Sequence, residues 1–545
     1  MSPVNFAIFT SGDAYSTAQK IMGRQSAGKA MIRGVARRWP DEEVHAFGHN
    51  RSSGQALAAQ LQAEGHRGVV KWRQSPGDAV LDRLGAVYYP APLAPGLAHA
   101  RNSRGTGTYS LFGVTHTLSS EGAMDQVAAL VLPPFKPWDA LICTSNAALS
   151  VVTRMQDEMR EWHARETGAT RFNPIQLPVI PLGIDAEAFA RTPAQISEAR
   201  RAMGVAEDEI VHLFAGRLSF HAKANPSALY QALEKAAART KRPLVCVEAG
   251  VHPNPHMAQA FADAQKALAP SVRFIGVNGE NETLYRHAWR AADVFVSLSD
   301  NIQETFGLTP LEAMAAGQPV LVSDWNGYKD TVRDGVDGYR IPVTLPMAGT
   351  GSDLALRHAL GQDTYDMFIG RVSMSTVVDV EALADRIAAL ADDADLRRTM
   401  GAAGAERARK SFDWPVILDR YVSLAQDLTE IRRASVGGPG EPWPLRPDPF
   451  SLFAEYPTRT LTDQSTVIVR SETLAVQALL DLQIARYALA DPVLTAEMIL
   501  KVHGVLGAPD GASVGSLLAR SGLPQPQAVR ALMWLAKFNL VEIIA

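Results

Sequence analysis

Two glutamates, Glu304 and Glu312, lie eight positions apart, a spacing that could let both contact one bound ligand. Gly307 lies between them after a short apolar run, and Pro310 suits a first helical turn, where its missing N–H costs nothing. The free backbone N–H groups and the positive dipole end of such a helix can hold a diphosphate. Glu312 could then accept hydrogen bonds from the ribose diol of a bound nucleotide. Glu304 could face a sugar that is attached to the diphosphate. Taken singly, both could be solvated acids near a helix start.

Two cations precede this motif, at Arg217 and Lys223, just after Gly216. They follow an apolar strand pattern at the turn into the next helix, and no acid is near them in sequence. Open α/β folds bind ligands at this edge of the sheet. Fixed cations there would stabilise the charge that a nucleoside diphosphate gains as its glycosidic bond breaks. Taken alone, they could also be ordinary surface charges.

These segments together resemble the donor domain of the family-4 retaining glycosyltransferases. The similar residues are Gly216-Arg217-Leu-Ser with Lys223, Glu304 with Glu312, and Gly317-Gln-Pro-Val. Three more segments are similar to the family's interdomain segment, active-site histidine region and closing helix: Val179–Phe189, Val114-Thr-His116-Thr and Ser411–Tyr421. The resemblance covers residues 5–432 and is most specific over 211–340.

The resemblance implies a GT-B fold and transfer of a sugar from a nucleotide-diphosphate donor to a hydroxyl acceptor, with retention at the anomeric carbon. The donor expected is a UDP- or GDP-sugar, with no cofactor and no metal ion. The implied catalytic residues are His116, Arg217, Lys223 and Glu304, and the implied donor-binding residues are Gly23, Gly216, Phe306, Gly307, Leu308 and Glu312. A structural role remains the alternative for His116, because it follows an apolar stretch.

The loop after the first predicted strand departs from the family pattern. Many members carry a glycine pair there, whereas this sequence has Ser11-Gly12 and then Gly23 and Gly28 at the opening of a helix. These glycines could let the helix approach donor phosphate or acceptor, but their spacing is not that of a P-loop. The acceptor itself is not identified by any motif.

A basic stripe follows on the same predicted helix. Lys29, Arg33 and Arg37 recur at four-residue spacing, with no acid between Ala14 and Pro40. The stripe fits a face for an anionic acceptor or an acidic membrane surface. It fits a solvated helix face equally well.

The elements that must position these residues are short apolar runs alternating with helical patterns. Most runs are close to continuously apolar, as strands buried on both faces of a parallel sheet are. Strands are predicted at Phe6–Thr10, Ala86–Tyr89, Ala140–Thr144, Val179–Pro181, Val211–Ala215, Leu244–Glu248, Val272–Ile275, Val294–Ser297 and Pro319–Ser323. Predicted helices include Ala27–Arg38, Pro226–Arg239, Met257–Leu268 and Leu311–Ala316. The expected fold class is α/β, with two doubly wound Rossmann-like domains facing across a cleft and a C-terminal, mainly helical extension.

The boundaries of the predicted domains follow changes in amino-acid composition and in the pattern of apolar residues. They are an N-terminal acceptor domain (1–190), a nucleotide-sugar donor domain (191–410), a closing helix that crosses back (411–433), a Pro/Gly-rich linker (434–470) and a helical module (471–545). In this module, Ser513–Arg520 and Gln527–Phe538 resemble a helix-turn-helix or winged-helix pair. Its five basic and six acidic side chains disfavour phosphate contacts. We therefore expect a protein partner or self-association there rather than DNA.

Composition bounds the remaining possibilities. A net charge of -4 and 47% hydrophobic residues describe a globular chain without a global basic field for nucleic acid. The two cysteines, Cys143 and Cys246, are too few for a disulfide framework and fit a reducing cytosol. Neither a signal-peptide pattern nor an apolar run of ~20 residues is present. The expectation is a cytoplasmic protein with at most peripheral membrane contact.

Two other functions fit parts of the same pattern. A GT-B-like nucleotide-sugar epimerase would use the donor site without an acceptor, and a non-catalytic regulator would act through the helical module. A deteriorated donor site would favour the regulator, but the four charged site residues are present. A glycoside hydrolase is disfavoured, because Glu312 is placed for the nucleotide rather than opposite Glu304 across a glycosidic bond.

Overall fold

The fold is described here from a computed structural model that covers residues 3–10, 14–15, 23–48, 50–74, 76–470, 475–507 and 511–544. The first sheet has strands β1 (Phe6–Phe9), β2 (Val44–Phe47), β3 (Val70–Arg73), β4 (Ala86–Tyr88), β5 (Ser110–Val114) and β6 (Ala140–Ile142). Its helices are α1 (Gly23–Arg38), α2 (Arg51–Ala63), α3 (Ala79–Leu84), α4 (Pro95–Asn102), α5 (Glu121–Ala129) and α6 (Asn146–Thr167). The strands are parallel in the order β3-β2-β1-β4-β5-β6, a doubly wound arrangement.

The second sheet repeats this topology. Its strands are β7 (Ile210–Ala215), β8 (Leu244–Gly250), β9 (Arg273–Asn278), β10 (Val294–Ser297), β11 (Val320–Ser323) and β12 (Gly338–Ile341). Its helices are α7 (Pro193–Ala202), α8 (Ser227–Ala237), α9 (Pro255–Leu268), α10 (Glu282–Ala291), α11 (Leu308–Ala315) and α12 (Tyr328–Thr331). The parallel order is β12-β11-β10-β7-β8-β9, so the strand order reverses between β7 and β10. The predicted fold class of two Rossmann-like domains is confirmed.

A helical insertion and a run of closing helices follow β12. The elements are β13 (Val343–Thr344), α13 (Ser352–Ala359), α14 (Tyr365–Ser373), β14 (Val377–Val378), α15 (Val380–Asp392), α16 (Ala394–Arg407), a π-helix (Ala408–Phe412) and α17 (Trp414–Ala434). Because β13 pairs antiparallel with β14, residues 345–376, here called the helical insertion, leave and rejoin the domain at one place.

Eight of the nine predicted strands are confirmed, within three residues at their ends, and one prediction is wrong. Val179–Pro181 forms no strand: Val179 makes only an isolated bridge with Cys143 at the edge of β6. Pro181 has no N–H to continue a ladder, so the apolar run is extended chain rather than sheet. The strands β2, β3, β5 and β12 were not predicted.

The chain crosses between the two domains twice, and the crossings are hydrogen-bonded to each other. The backbone N–H of Ile184 donates to Phe412 over 2.8 Å, and that of Trp414 donates to Ile184 over 3.0 Å. From Trp414, α17 runs back over α1, β4 and β5 of the first sheet. The Trp414 side chain is buried where these elements meet.

The basic stripe on α1 binds acids at this crossing. Arg33 forms ion pairs with Glu64 at 2.6 Å and Asp185 at 3.1 Å. Arg37 forms ion pairs with Asp185 at 2.9 Å and with Asp413 at 3.1 Å. These contacts join α1 to both crossings and neutralise the two guanidinium groups, which favours a structural role for them over an anion-binding face.

The C-terminal unit, Pro444–Ala545, is a separate compact body. Its elements are α18 (Pro449–Leu452), β15 (Thr466–Val469), α19 (Val476–Leu480), α20 (Gln483–Arg486), α21 (Ala496–Gly504), β16 (Ala512–Ser513), α22 (Val514–Ser521), α23 (Gln525–Lys537) and β17 (Val541–Ile544). The strands form an antiparallel sheet in the order β16-β15-β17, which the sequence did not predict, and α21 to α23 pack around a shared core. The two predicted helices coincide with α22 and α23.

The segment before this unit is fixed to the first domain. The Trp443 ring stacks on His99 with 4.5 Å between ring centroids, and the backbone N–H of Glu441 donates to Asn102 over 2.9 Å. The predicted linker is therefore held to the first domain at Glu441 and Trp443, although Val436 within it is 99% exposed.

A substitution at Gly34 tests how closely α17 packs against α1. A Cβ at this position would lie 2.3 Å from the Trp414 Cβ, an overlap that side-chain rotation cannot relieve. We expect Gly34→Ala to lower the free energy of unfolding by about 1–3 kcal/mol, as overpacking does in dense cores. Urea unfolding followed by tryptophan fluorescence measures the change.

Gly122→Ala is the matched control, because the exposed Gly122 lies in α5 with open space around its Cβ position. There alanine should be neutral or stabilising by up to about 1 kcal/mol. Equal stability of both variants would show that the α1–α17 contact is looser than described.

Candidate functional site

The two candidate segments meet at the switch point of the second sheet. Gly216 directly follows β7, and Glu304 lies on the loop after β10. Carboxyl ends of neighbouring parallel strands lie at the same edge, and doubly wound sheets bind ligands in the crevice where strand order reverses. The fold thus brings together side chains that are 81 positions apart in sequence.

Lys223 and Glu304 form an ion pair there, with 2.5 Å between Nζ and Oε2. Burial opposes both charges, but the partner outweighs it: the pKa of Lys223 lies above its ordinary value and the pKa of Glu304 below it. Arg217 and the backbone N–H of Phe306 also stabilise the Glu304 carboxylate. The sequence shows no acid near the cations; the structure supplies one from another loop.

Arg217 keeps its charge without a carboxylate partner. Its Nη2 donates to Gln303 Oε1 over 2.8 Å and to the Ala222 carbonyl over 3.2 Å, both neutral groups. Within the described residues, Arg217 forms no ion pair. The Arg217, Lys223 and Glu304 group therefore carries one uncompensated positive charge on an exposed side chain, as an anion site requires.

Gly307 fixes the loop between Glu304 and α11. Its φ of +82° favours glycine, and a Cβ there would lie 2.0 Å from the Tyr328 ring. The Tyr328 hydroxyl is itself held by the Ser297 hydroxyl at 2.8 Å. Gly307 is the N-cap of α11 and provides no side-chain cap, so the first-turn N–H group of Leu308 is not capped by a side chain.

Glu312 lies in the second turn of α11 and is half-buried. Burial raises its pKa to about 7, while the charge of Lys223 acts in the opposite direction. The described residues give its carboxylate no hydrogen bond or ion pair. A half-buried carboxylate in this state is ready to accept hydrogen bonds from a ligand hydroxyl pair.

His116 is brought beside the Glu304 loop from the first domain. It follows β5, and its Nε2 lies 3.2 Å from the Pro90 carbonyl. The Thr305 hydroxyl donates to the His116 carbonyl, and the Ser145 hydroxyl donates to the Thr305 carbonyl over 3.0 Å. Thr305 thus ties the loop that carries Glu304 to the carboxyl ends of β5 and β6.

Tyr365, from the helical insertion, is a site neighbour that the sequence did not reveal. Its hydroxyl lies 2.8 Å from the Ser119 hydroxyl and accepts from Gln303 Nε2 over 3.3 Å. It therefore connects the first domain to the residue that holds Arg217. No motif in the sequence marked this tyrosine.

The predicted contribution of the first-domain glycine loop lies largely outside the described residues. Positions 11–13 and 16–22 are not described, so Ser11-Gly12 falls outside them, and Gly23 is placed only as the first residue of α1. Gly28 packs against the backbone of Ala14, where a Cβ would lie 2.0 Å from the carbonyl oxygen. Close packing against this backbone therefore explains why position 28 is a glycine.

Three further findings concern side chains and helices of the described part of the chain. No described helix is long and apolar enough to cross a membrane. No group of three or more His, Cys, Asp or Glu side chains there could hold a metal ion. Cys143 and Cys246 are buried and unpaired with each other, and burial raises the pKa of both thiols, so they are packing residues.

Comparison with known proteins places this site in a recognised domain. Residues 195–348 match the family described as Glycosyl transferases group 1.

Similar proteins include the D-inositol 3-phosphate glycosyltransferase of Geodermatophilus obscurus, 30% identical over 280 residues, covering 49% of this chain and 51% of the relative. The lipopolysaccharide 1,2-N-acetylglucosaminetransferase of Salmonella typhimurium is 29% identical over 210 residues, 36% of this chain and 53% of the relative. The chain spans about half the length of the curated relatives it matches.

Among solved structures, Anabaena Alr3699/HepE in complex with UDP and glucose aligns with a TM-score of 0.48 and 16% identity, over 79% of this chain and 99% of that one.

Glu312 gives the site a pH signature. A carboxyl whose pKa rises from 4.5 to about 7 on folding destabilises the folded state progressively as pH rises between these values. We expect Glu312→Gln to gain stability over the natural protein across that window, by on the order of 1–3 kcal/mol at pH 7.5. Urea unfolding at pH 4.5, 6 and 7.5 measures the difference.

Glu282→Gln, an exposed change at the start of α10, serves as the control and should show no such pH-dependent gain. A gain that is independent of pH, or equal in the two variants, would contradict the raised pKa.

Proposed function

We propose that this chain is a retaining glycosyltransferase that moves a sugar from a nucleotide-diphosphate donor to a hydroxyl acceptor. The observation that carries the proposal is the charge arrangement at the switch point: an uncompensated Arg217 beside the Lys223–Glu304 ion pair. Its location in the domain that matches Glycosyl transferases group 1 supports it. The donor would be a UDP- or GDP-sugar, and the acceptor is unknown.

In this proposal the donor lies along the loop from Glu304 to α11. Arg217 and Lys223 bind the diphosphate, and the backbone around Gly307, from Phe306 to Leu308, faces its oxygens together with Gly216. Glu312 accepts hydrogen bonds from the ribose, which requires its ionised form. Because burial raises the pKa of Glu312 to about 7, the ribose hydroxyls would help to hold its charge.

The chemical step would need no side-chain nucleophile. The bond between the anomeric carbon and the leaving phosphate oxygen breaks as the acceptor oxygen forms its bond on the same face. The acceptor hydroxyl passes its proton to the leaving phosphate oxygen. Arg217 and Lys223 stabilise the charge that develops on the diphosphate, so they act mainly in the transition state, and no metal ion is invoked.

Glu304 and His116 would complete the donor-sugar side. Glu304, held by Lys223, contacts sugar hydroxyls, and His116 reaches the sugar ring from the first domain. The tie through Thr305 supports this assignment, because it keeps the two residues on adjoining loops. The acceptor would enter from the first domain, residues 1–190, and the donor would be held by residues 191–410.

The C-terminal unit would serve as an interaction module for a protein partner or a second copy of the chain. Its charge, five basic against six acidic side chains over residues 471–545, gives phosphate backbones little to bind.

Arg217→Ala tests the proposal directly. A thermal-shift panel of UDP-, GDP- and ADP-sugars first identifies the donor, and release of its nucleoside diphosphate is then measured. We expect the variant to lose activity by roughly 10²–10³-fold, as loss of a charge-stabilising group does. Arg154→Ala, at an exposed position on α6, is the matched control and should keep full activity.

Full activity in Arg217→Ala would refute the proposed role of this residue. Appearance of an epimer of the donor sugar without acceptor would instead show an epimerase. Donor binding without any turnover, in a screen of candidate acceptors, would instead indicate a non-catalytic regulator.

Tyr365→Phe tests whether the helical insertion supports the donor site. The hydroxyl holds Gln303, and Gln303 holds Arg217, so its loss should loosen Arg217 and weaken nucleoside diphosphate binding about threefold to tenfold. Calorimetric titration with the diphosphate found in the panel measures this. Tyr487→Phe, an exposed tyrosine of the C-terminal unit, should leave the affinity unchanged; equal affinities in both variants would remove Tyr365 from the site.

A further inference from the structure

A second positively charged cavity lies between the two Rossmann-like domains, beside the chain crossings. This hinge cavity has a volume of about 570 Å³. Asn146, after β6, lines it from the first domain, and Pro181 lines it from the first crossing. Five cations from four further elements and the loop after α12 also line it: Lys329, Arg333, Arg340, Arg407 and Arg420.

Carboxylates compensate only part of this charge. Asp330 is the one acid among the lining residues, and it accepts from the backbone N–H of Asn146 over 2.6 Å. Asp337 pairs with Arg333, with 2.9 Å from its Oδ2 to Nε, and Asp324 lies 3.4 Å from Arg340 Nη1. Five cations therefore face three carboxylates, which leaves an excess of two positive charges.

Two of the guanidinium groups make their hydrogen bonds to backbone carbonyls. Arg407 Nη2 donates to the Asp330 carbonyl over 2.9 Å, and Arg420 Nη2 donates to the Val179 carbonyl over 2.7 Å. Burial lowers the pKa of both, although Arg407 Nε also lies 3.7 Å from the Asp337 carboxylate. Arg340 Nε is buried and has no hydrogen-bond partner among the described residues. The cavity thus holds donors and charge that a bound anion would satisfy.

The hinge cavity is separate from the candidate donor site. The donor cations follow β7, whereas the cavity lies by β11 and β12, on the other side of the Glu304 loop. Between them, the Ser145 hydroxyl contacts Thr305 and the backbone of Gly327 packs against Phe306, where a Cβ would lie 2.6 Å from the Phe306 Cα. An anion in the cavity would therefore not be the donor diphosphate.

We propose that the hinge cavity is a second binding site, which takes a phosphate-bearing small molecule with at least two negative charges. Arginine forks match phosphate geometry in two-point contacts, and the volume leaves room for more than a bare phosphate group. Because Asn146, Pro181 and Arg420 line the cavity from the first-domain side and the other four cations line it from the second domain, the ligand stabilises the arrangement of the two domains described above. The proposal goes beyond the transferase assignment and does not depend on it.

Titration calorimetry at constant ionic strength tests this site, with inorganic phosphate and glucose 6-phosphate as probes and glucose as the neutral control. Arg407→Gln and Arg420→Gln should each weaken phosphate binding at least about tenfold, since each removes charge-assisted hydrogen bonds. Arg409→Gln, two residues from Arg407 but outside the cavity lining, should bind as the natural protein does. Arg420→Gln keeps the test valid even where Arg407→Gln fails to fold, because the Arg420 side chain is only partly buried.

Tighter binding of glucose 6-phosphate than of phosphate would identify an organic phosphate ester as the ligand class, and equal binding would identify free phosphate. Both results support the site when they depend on Arg407 and Arg420. Unchanged affinity in both variants overturns the proposal. So does a loss of phosphate binding in Arg217→Ala alone, which would place the anion in the donor site and leave the transferase assignment intact.

Discussion

The ion pair between Lys223 and Glu304 is the interaction on which the candidate site depends. It joins the loops after β7 and β10 across the switch point and lets two largely buried charges coexist. Removing one partner would leave the other charge buried and uncompensated, at a cost of several kcal/mol. With these two charges cancelling, Arg217 defines the field that an incoming anion meets. Glu304 thus both orients Lys223 and limits the positive charge of the site.

The same loop also couples the two domains. Thr305, next to Glu304, bonds to the backbone of His116 and to Ser145, so the loop that carries Glu304 cannot shift without disturbing the ends of β5 and β6. The crossing at Ile184 and Asp413 closes the other side through backbone bonds and the ion pairs of Arg37. The site geometry is therefore a property of the interdomain arrangement, and not of the second domain by itself.

The sequence predicted most of the buried strands because burial on both faces leaves a continuous apolar run, as in Val294–Ser297. It missed β3 and β12, which lie at sheet edges and carry polar residues. It also missed two fully buried strands, β2, which contains His45, and β5, which contains Gly113. Val179–Pro181 has the apolar composition of a strand, but Pro181 has no N–H to continue a ladder beyond the bridge at Val179. The Glu304–Glu312 motif could be recognised in the sequence because Glu304, Gly307 and Glu312 are close in sequence.

Partners that come from distant segments could not be predicted in this way. Neither the acid that neutralises Lys223 nor the acids that bind Arg33 and Arg37 are near them in sequence, since the fold alone decides which loops meet. The Arg217–Lys223–Glu304 site and the hinge cavity differ in this respect. The first site lies at strand ends and has a recognisable sequence motif. The hinge cavity is lined by isolated cations from α12, the loop after it, β12, α16 and α17, and it has no motif. A charge excess assembled from isolated residues is visible only in three dimensions, so its function must be sought by binding rather than by resemblance.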